Sequence, residues 1–183
     1  MSATTVHTTL ASPLGDLLLV GEPSATAPGG TALASLSVPD QKGGAAVREA
    51  WVHDPAAFTE IAAQLTAYFE GRRTRFAIEY VPGGTPFQQR VWQALEAVPY
   101  GETSTYGDIA ARIGASRAAV RAVGTAIGRN PLLVVRPCHR IIGANGTLTG
   151  YAGGLPRKEQ LLRLEGAACV AASRAPGADV LGV

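Results

Sequence analysis

Apolar residues in the first forty positions are concentrated in short runs bounded by turn residues, which is the pattern of strands. Two such runs, Val6–Ala11 and Leu17–Gly21, flank the turn residues Ser12–Gly15 and predict a hairpin. A third run, Leu33–Val38, predicts another strand after a loop rich in proline, glycine and small residues. Phe76–Tyr80 predicts one more short strand.

Between the last two of these strands the apolar period changes to that of a helix. Asp54 can cap this helix, Pro55 suits its first position, and Gly71 can end it. Its apolar residues recur at three- and four-residue spacing: Phe58, Ile61, Leu65, Tyr68 and Phe69. We interpret this stripe as packed core, and nothing in the segment indicates catalysis.

A proline and two glycines in Val81–Gly84 interrupt the pattern and predict a domain boundary. We therefore expect an N-terminal α+β domain over residues 1–82 and a mostly helical C-terminal domain over residues 83–166. Residues 167–183 are rich in alanine and glycine and predict a flexible tail. The fold class is α+β.

The C-terminal part is predicted to contain four helices, at residues 85–98, 106–113, 117–128 and 156–164. The middle two are joined by Gly114–Ala115–Ser116, which is the pattern of a helix-turn-helix. Asn145–Gly146 predicts a hairpin turn between Ile141–Ile142 and Leu148. A helix-turn-helix pattern alone is also typical of an ordinary helical hairpin, so it does not establish DNA binding.

Composition places the chain among globular proteins, with 46% hydrophobic and 16% charged residues. The start of the chain lacks the pattern of a signal peptide and no apolar run is long enough for a membrane span, so a cytoplasmic protein is expected. Charge is uneven, because residues 1–82 carry 5 Lys/Arg and 8 Asp/Glu whereas residues 83–165 carry 10 and 5. The basic second part, in which nine of the ten cations are arginine, favours contact with phosphates.

The strongest candidate for chemistry is Cys138, in the run Arg136–Pro137–Cys138–His139–Arg140. Neighbouring cations lower the pKa of a thiol, so this setting predicts a reactive thiolate. The alternative is a small buried hydrophobic residue, a common use of free cysteine. Cys169 is interpreted as an incidental thiol, and no spacing supports a metal site with His7 or His53.

Four motifs in order decide between these interpretations: the helix segment Arg-Ala-Val-Gly, Gly-Arg-Asn-Pro, Pro-Cys-His-Arg and Gly-Tyr-Ala-Gly-Gly. Together they resemble the O6-alkylguanine-DNA alkyltransferases, closely over about residues 85–166 and in general layout before that. For residues 1–82 the resemblance implies a ribonuclease-H-like layout. The resemblance implies repair of duplex DNA by irreversible transfer of the alkyl group of O6-alkylguanine, and of O4-alkylthymine, to Cys138. It also implies a single turnover without cofactor or metal, and a monomer, with cooperative binding along DNA left open.

The resemblance also implies catalytic roles. His139 would take the thiol proton through a water, and Glu165 would orient His139 and stabilise its charged form. Asn130 would hold the turn beside Cys138. Tyr106 would donate a hydrogen bond to a ring nitrogen of the leaving guanine.

The same resemblance implies a set of DNA- and substrate-binding residues. Arg121 would fill the gap left by the flipped nucleotide, and small residues such as Ala119 and Gly124 would let their helix approach the minor groove. Tyr151 and the backbone of Ala152, Gly153 and Gly154 would wall the pocket.

Three departures from the family pattern stand out: a longer turn before Arg121, Arg136 at a usually apolar position, and Ala152 in place of a serine found in some members. Two other functions remain as alternatives. A non-catalytic DNA- or lesion-binding module would need the helix-turn-helix but not Cys138, and a cysteine hydrolase would need an oxyanion hole that the sequence does not reveal.

Overall fold

The computed structural model describes residues 3–168. Its first part contains a four-stranded sheet. The predicted hairpin is present as antiparallel β1 (Val6–Leu10) and β2 (Leu17–Pro23), and β3 (Thr31–Ser37) pairs antiparallel with β2. The short β4 (Val52–His53), which the sequence pattern did not reveal, pairs parallel with β1.

The predicted helix of this part begins as a 3-10 turn, Pro55–Phe58, and continues as α1 (Thr59–Phe69). The Asp54 side chain accepts a hydrogen bond from the Ala57 N–H, as expected of a cap. Most of this apolar stripe is buried, in the same hydrophobic cluster as residues of the sheet.

The strand predicted at Phe76–Tyr80 is wrong. Only one parallel bridge, between Leu33 and Tyr80, joins this segment to β3. The Gln64 side chain instead accepts from the Ala77 N–H at 2.8 Å and donates to the Ala77 carbonyl at 3.1 Å. A glutamine thus satisfies the backbone groups that a neighbouring strand would otherwise pair.

The second part contains the four predicted helices: α2 (Pro86–Glu96), α3 (Tyr106–Arg112), α4 (Val120–Gly128, preceded by a 3-10 turn at Arg117–Ala119) and α5 (Leu155–Leu164). Reciprocal capping boxes fix the first two starts, Thr85 with Gln88 and Thr105 with Asp108. The helix-turn-helix is the α3–α4 pair.

The predicted hairpin after Ile142 is also wrong. Ile141–Ile142 forms β6, whose partner is β5 (Ser104–Thr105), and the two pair in parallel. The Asn145–Gly146 turn does form and is closed by a hydrogen bond from the Gly143 N–H to the Thr147 carbonyl at 2.9 Å. The turn therefore closes a local loop, while tertiary pairing selects a distant strand.

One hydrophobic cluster runs through both parts and contains Cys138. The link is direct, because the Leu36 N–H of β3 bonds the Pro131 carbonyl at 2.9 Å and the Leu133 N–H bonds the Leu36 carbonyl at 3.2 Å. The sheet therefore anchors the segment that leads into Cys138. Within residues 3–168 no helix is long and apolar enough to cross a membrane. Of the predicted tail, residues 169–183 lie outside the described residues, including Cys169.

Candidate active site

Asn130 shapes the segment that carries Cys138. It is buried after α4, and its amide donates to the carbonyls of Leu132 at 3.3 Å and Arg136 at 3.1 Å. Its oxygen accepts from the Leu132 N–H at 3.0 Å. Within this loop Val134 adopts a left-handed backbone with φ 69°, a conformation that costs a non-glycine residue about 1–3 kcal/mol. The bonds of Asn130 thus hold an otherwise unfavourable path that ends at the cysteine.

Cys138 begins a 3-10 turn, Cys138–Arg140, and lines a cavity of about 150 Å³. That is several times the roughly 30 Å³ one water occupies in the liquid. The other lining residues come from α3, α4 and the glycine loop before α5: Tyr106, Gly124, Ile127, Gly128, Gly150, Tyr151 and Ala152. Of the residues singled out from the sequence, four others therefore meet Cys138 at one opening. A larger cavity of about 770 Å³ lies behind the turn, but its lining includes Pro137 and Arg140 rather than Cys138.

His139 and Glu165 form the pair predicted from the sequence. His139 Nε2 lies 2.7 Å from Glu165 Oε2, and both side chains are fully buried. Glu165 caps the end of α5, where the helix dipole disfavours a carboxylate. The Arg140 guanidinium compensates by donating through Nε to Oε1 at 2.6 Å and through Nη2 to Oε2 at 3.1 Å.

The pKa values of this pair follow from burial and partners. Burial alone would raise the pKa of Glu165, but the hydrogen bonds and charges of His139 and Arg140 outweigh it and lower the pKa to about 2. Burial lowers the pKa of His139 more than Glu165 raises it, so the imidazole is favoured in its neutral form. With Nε2 at the carboxylate, Nδ1 is the basic nitrogen, and it is buried with no hydrogen-bond partner among residues 3–168.

The prediction of a low-pKa thiol is wrong for this structure. Burial raises the pKa of Cys138 to about 11, and the hydrogen bond of Asn130 and the charges of Lys158 and Arg136 only partly oppose it. The two arginines expected to stabilise the thiolate are engaged elsewhere. The Arg136 guanidinium pairs with Glu96 at 2.9 Å and lies 4.7 Å from the Trp92 ring centre. Arg140 forms its ion pair with Glu165. The thiol therefore needs a base at the moment of reaction.

Gly153 lies behind the pocket wall. A Cβ built at this position would come within 2.8 Å of the Tyr151 ring and 3.1 Å of Val38, so only glycine leaves the ring where it is. The Tyr151 hydroxyl is buried without a hydrogen-bond partner in the described part of the chain, and burial raises its pKa well above the ordinary value. Tyr106 is partly exposed and donates to the Thr149 carbonyl at 3.2 Å.

The residues predicted to meet DNA lie on α4 and the turn before it. Arg121 is exposed, together with Arg117, Ala118, Ala122 and Thr125 on the same face. Ala119 is half-buried, and a Cβ at Gly124 would lie 3.7 Å from the Tyr106 ring. The exposed arginine and the cavity thus adjoin the same helix.

Two buried residues at the site were missed by the sequence analysis. The Lys158 ammonium of α5 bonds the carbonyls of Ile141, Thr149 and Gly150, two of them in the glycine loop beside the cavity. The Tyr68 hydroxyl of α1 donates to Glu165 at 2.5 Å. An amphipathic pattern gave no signal for either, since a lysine on a helix is usually exposed and an apolar stripe is usually core.

Within residues 3–168 the cysteine is Cys138, which is buried and has a free thiol. His7 and His53 have ring centres 5.3 Å apart. No group of three or more potential metal ligands occurs within residues 3–168.

Comparison with known proteins places these features in one family. Residues 5–81 match the model of the 6-O-methylguanine DNA methyltransferase ribonuclease-like domain, and residues 86–167 match the model of the DNA binding domain of the same proteins. A methylated-DNA–protein-cysteine methyltransferase of Mycobacterium leprae is 51% identical over 84% of this chain and 88% of its own length. One from Methanosarcina acetivorans is 47% identical over 85% and 94%.

Solved structures agree. The crystal structure of Mycobacterium tuberculosis OGT in complex with DNA has 47% identity and a TM-score of 0.79, covering 94% of this chain and 96% of that one. The chain belongs to the 6-O-methylguanine DNA methyltransferase family.

Proposed function

We propose that this protein repairs DNA by moving the alkyl group of O6-alkylguanine onto the sulphur of Cys138. The single observation that carries the proposal is the cavity that Cys138 lines together with Tyr106 and Tyr151. Membership of the methyltransferase family and the names of the relatives support it. O4-alkylthymine presents the same carbon–oxygen bond and is the second proposed substrate.

In the transfer step the Cys138 sulphur attacks the alkyl carbon as its proton leaves. The carbon–oxygen bond breaks, and its electron pair stays on the O6 atom of guanine. The proton moves to the unpartnered Nδ1 of His139, directly or through a water, and Glu165 stabilises the imidazolium at Nε2. The raised pKa of Cys138 makes this base necessary, because little thiolate exists beforehand.

Tyr106 is proposed to stabilise the leaving base. Its hydroxyl donates to the Thr149 carbonyl in the structure and would turn to a guanine ring nitrogen that gains negative charge. Asn130 keeps Cys138 in place through the loop it holds. The product is a thioether of Cys138. Regenerating the cysteine would require its thiolate to act as a leaving group from a saturated carbon, which is very slow, so each chain acts once.

The target base must leave the stack to react, because a stacked base cannot present its alkyl carbon to the buried sulphur of Cys138. Small residues on the exposed face of α4 allow close approach to the minor groove. Arg121 projects from that face and is proposed to fill the gap left by the flipped nucleotide. Ala119 and Gly124 are proposed to let α4 approach the groove closely, and Gly124 also lines the cavity. Tyr151 and Ala152 are proposed to wall the pocket around the flipped base, with Gly153 packed behind the Tyr151 ring.

One chain supplies every residue in this mechanism, which supports action as a monomer; cooperative binding remains a separate proposal. We propose a division of roles in which residues 1–82 support the site and residues 83–166 bind DNA and carry the acceptor. A reducing cytoplasm would keep the thiol available.

The test compares removal of methyl from duplex DNA with binding to it, for the wild type and Cys138→Ala. The wild type should demethylate one lesion per chain, and the variant should bind the duplex but remove nothing. Equal results for both proteins would support a binding module instead. Release of many equivalents of product would support a hydrolase.

A further inference from the structure

Tyr68 belongs to the N-terminal part yet reaches the centre of the active site. It lies on α1, is fully buried, and packs against Phe69, Phe76 and Tyr100 with ring-centre distances of 5.3, 5.2 and 6.2 Å. Its hydroxyl donates to Glu165 Oε2 at 2.5 Å across 97 residues of sequence. An ordinary core position would be filled as well by phenylalanine, so the hydroxyl calls for an explanation of its own.

The oxygen that accepts this hydrogen bond, Glu165 Oε2, is also the one that contacts His139. Glu165 Oε2 receives Tyr68 at 2.5 Å, His139 Nε2 at 2.7 Å and Arg140 Nη2 at 3.1 Å, whereas Oε1 receives Arg140 Nε at 2.6 Å. Three donors share the negative charge on Oε2. Because donors that share one acceptor compete for the same negative charge, each weakens the hold of that oxygen on the other two.

We propose that Tyr68 is a positioning residue that tunes His139 through Glu165, keeping the imidazole free of its proton until Cys138 delivers one. This rests on the proposed function, in which His139 accepts the thiol proton. It gives the N-terminal part a direct share in the chemistry in addition to support of the fold.

The direction of the effect follows from the charges around His139. Glu165, at the end of α5, favours the imidazolium, while Arg140 of the same 3-10 turn and Lys158 of α5 disfavour it. The Cys138 thiol precedes it in the chain and is neutral. Tyr68 of α1 acts on Glu165, because its hydrogen bond stabilises part of the negative charge of that carboxylate. In Tyr68→Phe the carboxylate would bind the imidazolium more tightly, so His139 would keep its proton up to a higher pH.

The first measurement is the rate of reaction with free O6-benzylguanine from about pH 5 to pH 9, whose acid limb reports the essential base. For Tyr68→Phe this limb should move to higher pH by on the order of one unit, so that the loss of rate is largest at the acidic end of the range and small near pH 9. Tyr100→Phe is the matched control. Its hydroxyl donates to the Leu164 backbone carbonyl at 3.3 Å in the same region, so its removal should leave the limb unmoved.

The second measurement is an NMR titration of the imidazole groups, which needs no substrate. The chain has three histidines, so His7 and His53 serve as internal references and His139 is identified by the signal lost in His139→Gln. Tyr68→Phe should raise the titration midpoint of His139 alone. If both tyrosine variants shift it equally, or neither does, Tyr68 is only a packing residue. If the wild type fails to react with any alkylguanine while this shift is still seen, the proposed function fails and the coupling stands.

Discussion

Replacing Glu165 with glutamine should remove a buried charge on which both fold and chemistry depend. The pKa of Glu165 falls from its ordinary 4.5 to about 2 in the folded chain. At about 1.4 kcal/mol per unit, its ionised form contributes roughly 3 kcal/mol to stability. Because the folded-state pKa is the lower one, this contribution is complete well above pH 4.5 and is lost as the pH falls towards 2. Roughly 2 kcal/mol of it should be gone by about pH 3.

The assay is urea unfolding of the wild type and Glu165→Gln at neutral pH and near pH 3. At neutral pH the variant should be less stable by about 3 kcal/mol or more, since Arg140 is left buried without its partner. Towards pH 3 the difference should shrink by about 2 kcal/mol, because the wild type loses there what the variant has already lost. Other carboxylates cancel in this difference.

Glu159→Gln is the matched control for this experiment. Glu159 also pairs with an arginine, Arg163 four residues on, but both side chains are about 40% exposed. Its loss should change stability by less than about 1 kcal/mol. A difference between wild type and Glu165→Gln that stays constant with pH, or an equal cost for the control, would refute the reasoning about the buried carboxylate.

Further predictions concern the pocket, the DNA-facing helix and the thiol. Gly153→Ala should push the Tyr151 ring towards the cavity and slow the reaction with O6-benzylguanine. Gly107→Ala is the control and should not slow it, because a Cβ there meets nothing closer than 3.8 Å. Equal rates for the two variants would contradict the argument from close packing at Gly153. Arg121→Ala should impair repair of duplex DNA far more than reaction with the free base, and similar losses in both assays would speak against a role in the flipped state. Because the pKa of Cys138 is raised to about 11, iodoacetamide should label it at neutral pH on the order of a hundredfold more slowly than free cysteine. Labelling as fast as free cysteine would contradict the desolvated thiol.

The helices could be predicted because residues close to their ends in the sequence determine where they begin and end. Thr85 and Thr105 each form the capping box that their neighbours allow, and the apolar spacing after them fixes the buried face. The short strands could not be predicted in the same way. Phe76–Tyr80 has strand-like residues, but Gln64 of α1 takes the backbone groups of Ala77, and Ile141–Ile142 pairs with Ser104–Thr105 rather than across its own turn.

The candidate site shows the same division. Motifs identified Cys138, His139, Glu165 and Asn130, and the structure brings these together because each lies on a segment held by the common core. The state of the thiol could not be foreseen, since sequence shows that arginines are adjacent but not that Arg136 packs on Trp92. Tyr68 and Lys158 escaped for a related reason. The Tyr68 hydroxyl bonds a carboxylate 97 residues away, and the Lys158 ammonium bonds a carbonyl 17 residues away, so the hydrophobic pattern around either residue does not reveal the partner.

The central claim is that the sulphur of Cys138 becomes the permanent carrier of the alkyl group. Incubation with duplex DNA that contains one O6-methylguanine, followed by peptide mass spectrometry, tests it directly. The account predicts one added methyl on the peptide that contains Cys138, at one equivalent per chain, and no further reaction with fresh DNA. A methyl on Cys169, an unmodified Cys138 after the lesion has gone, or continued turnover would contradict it.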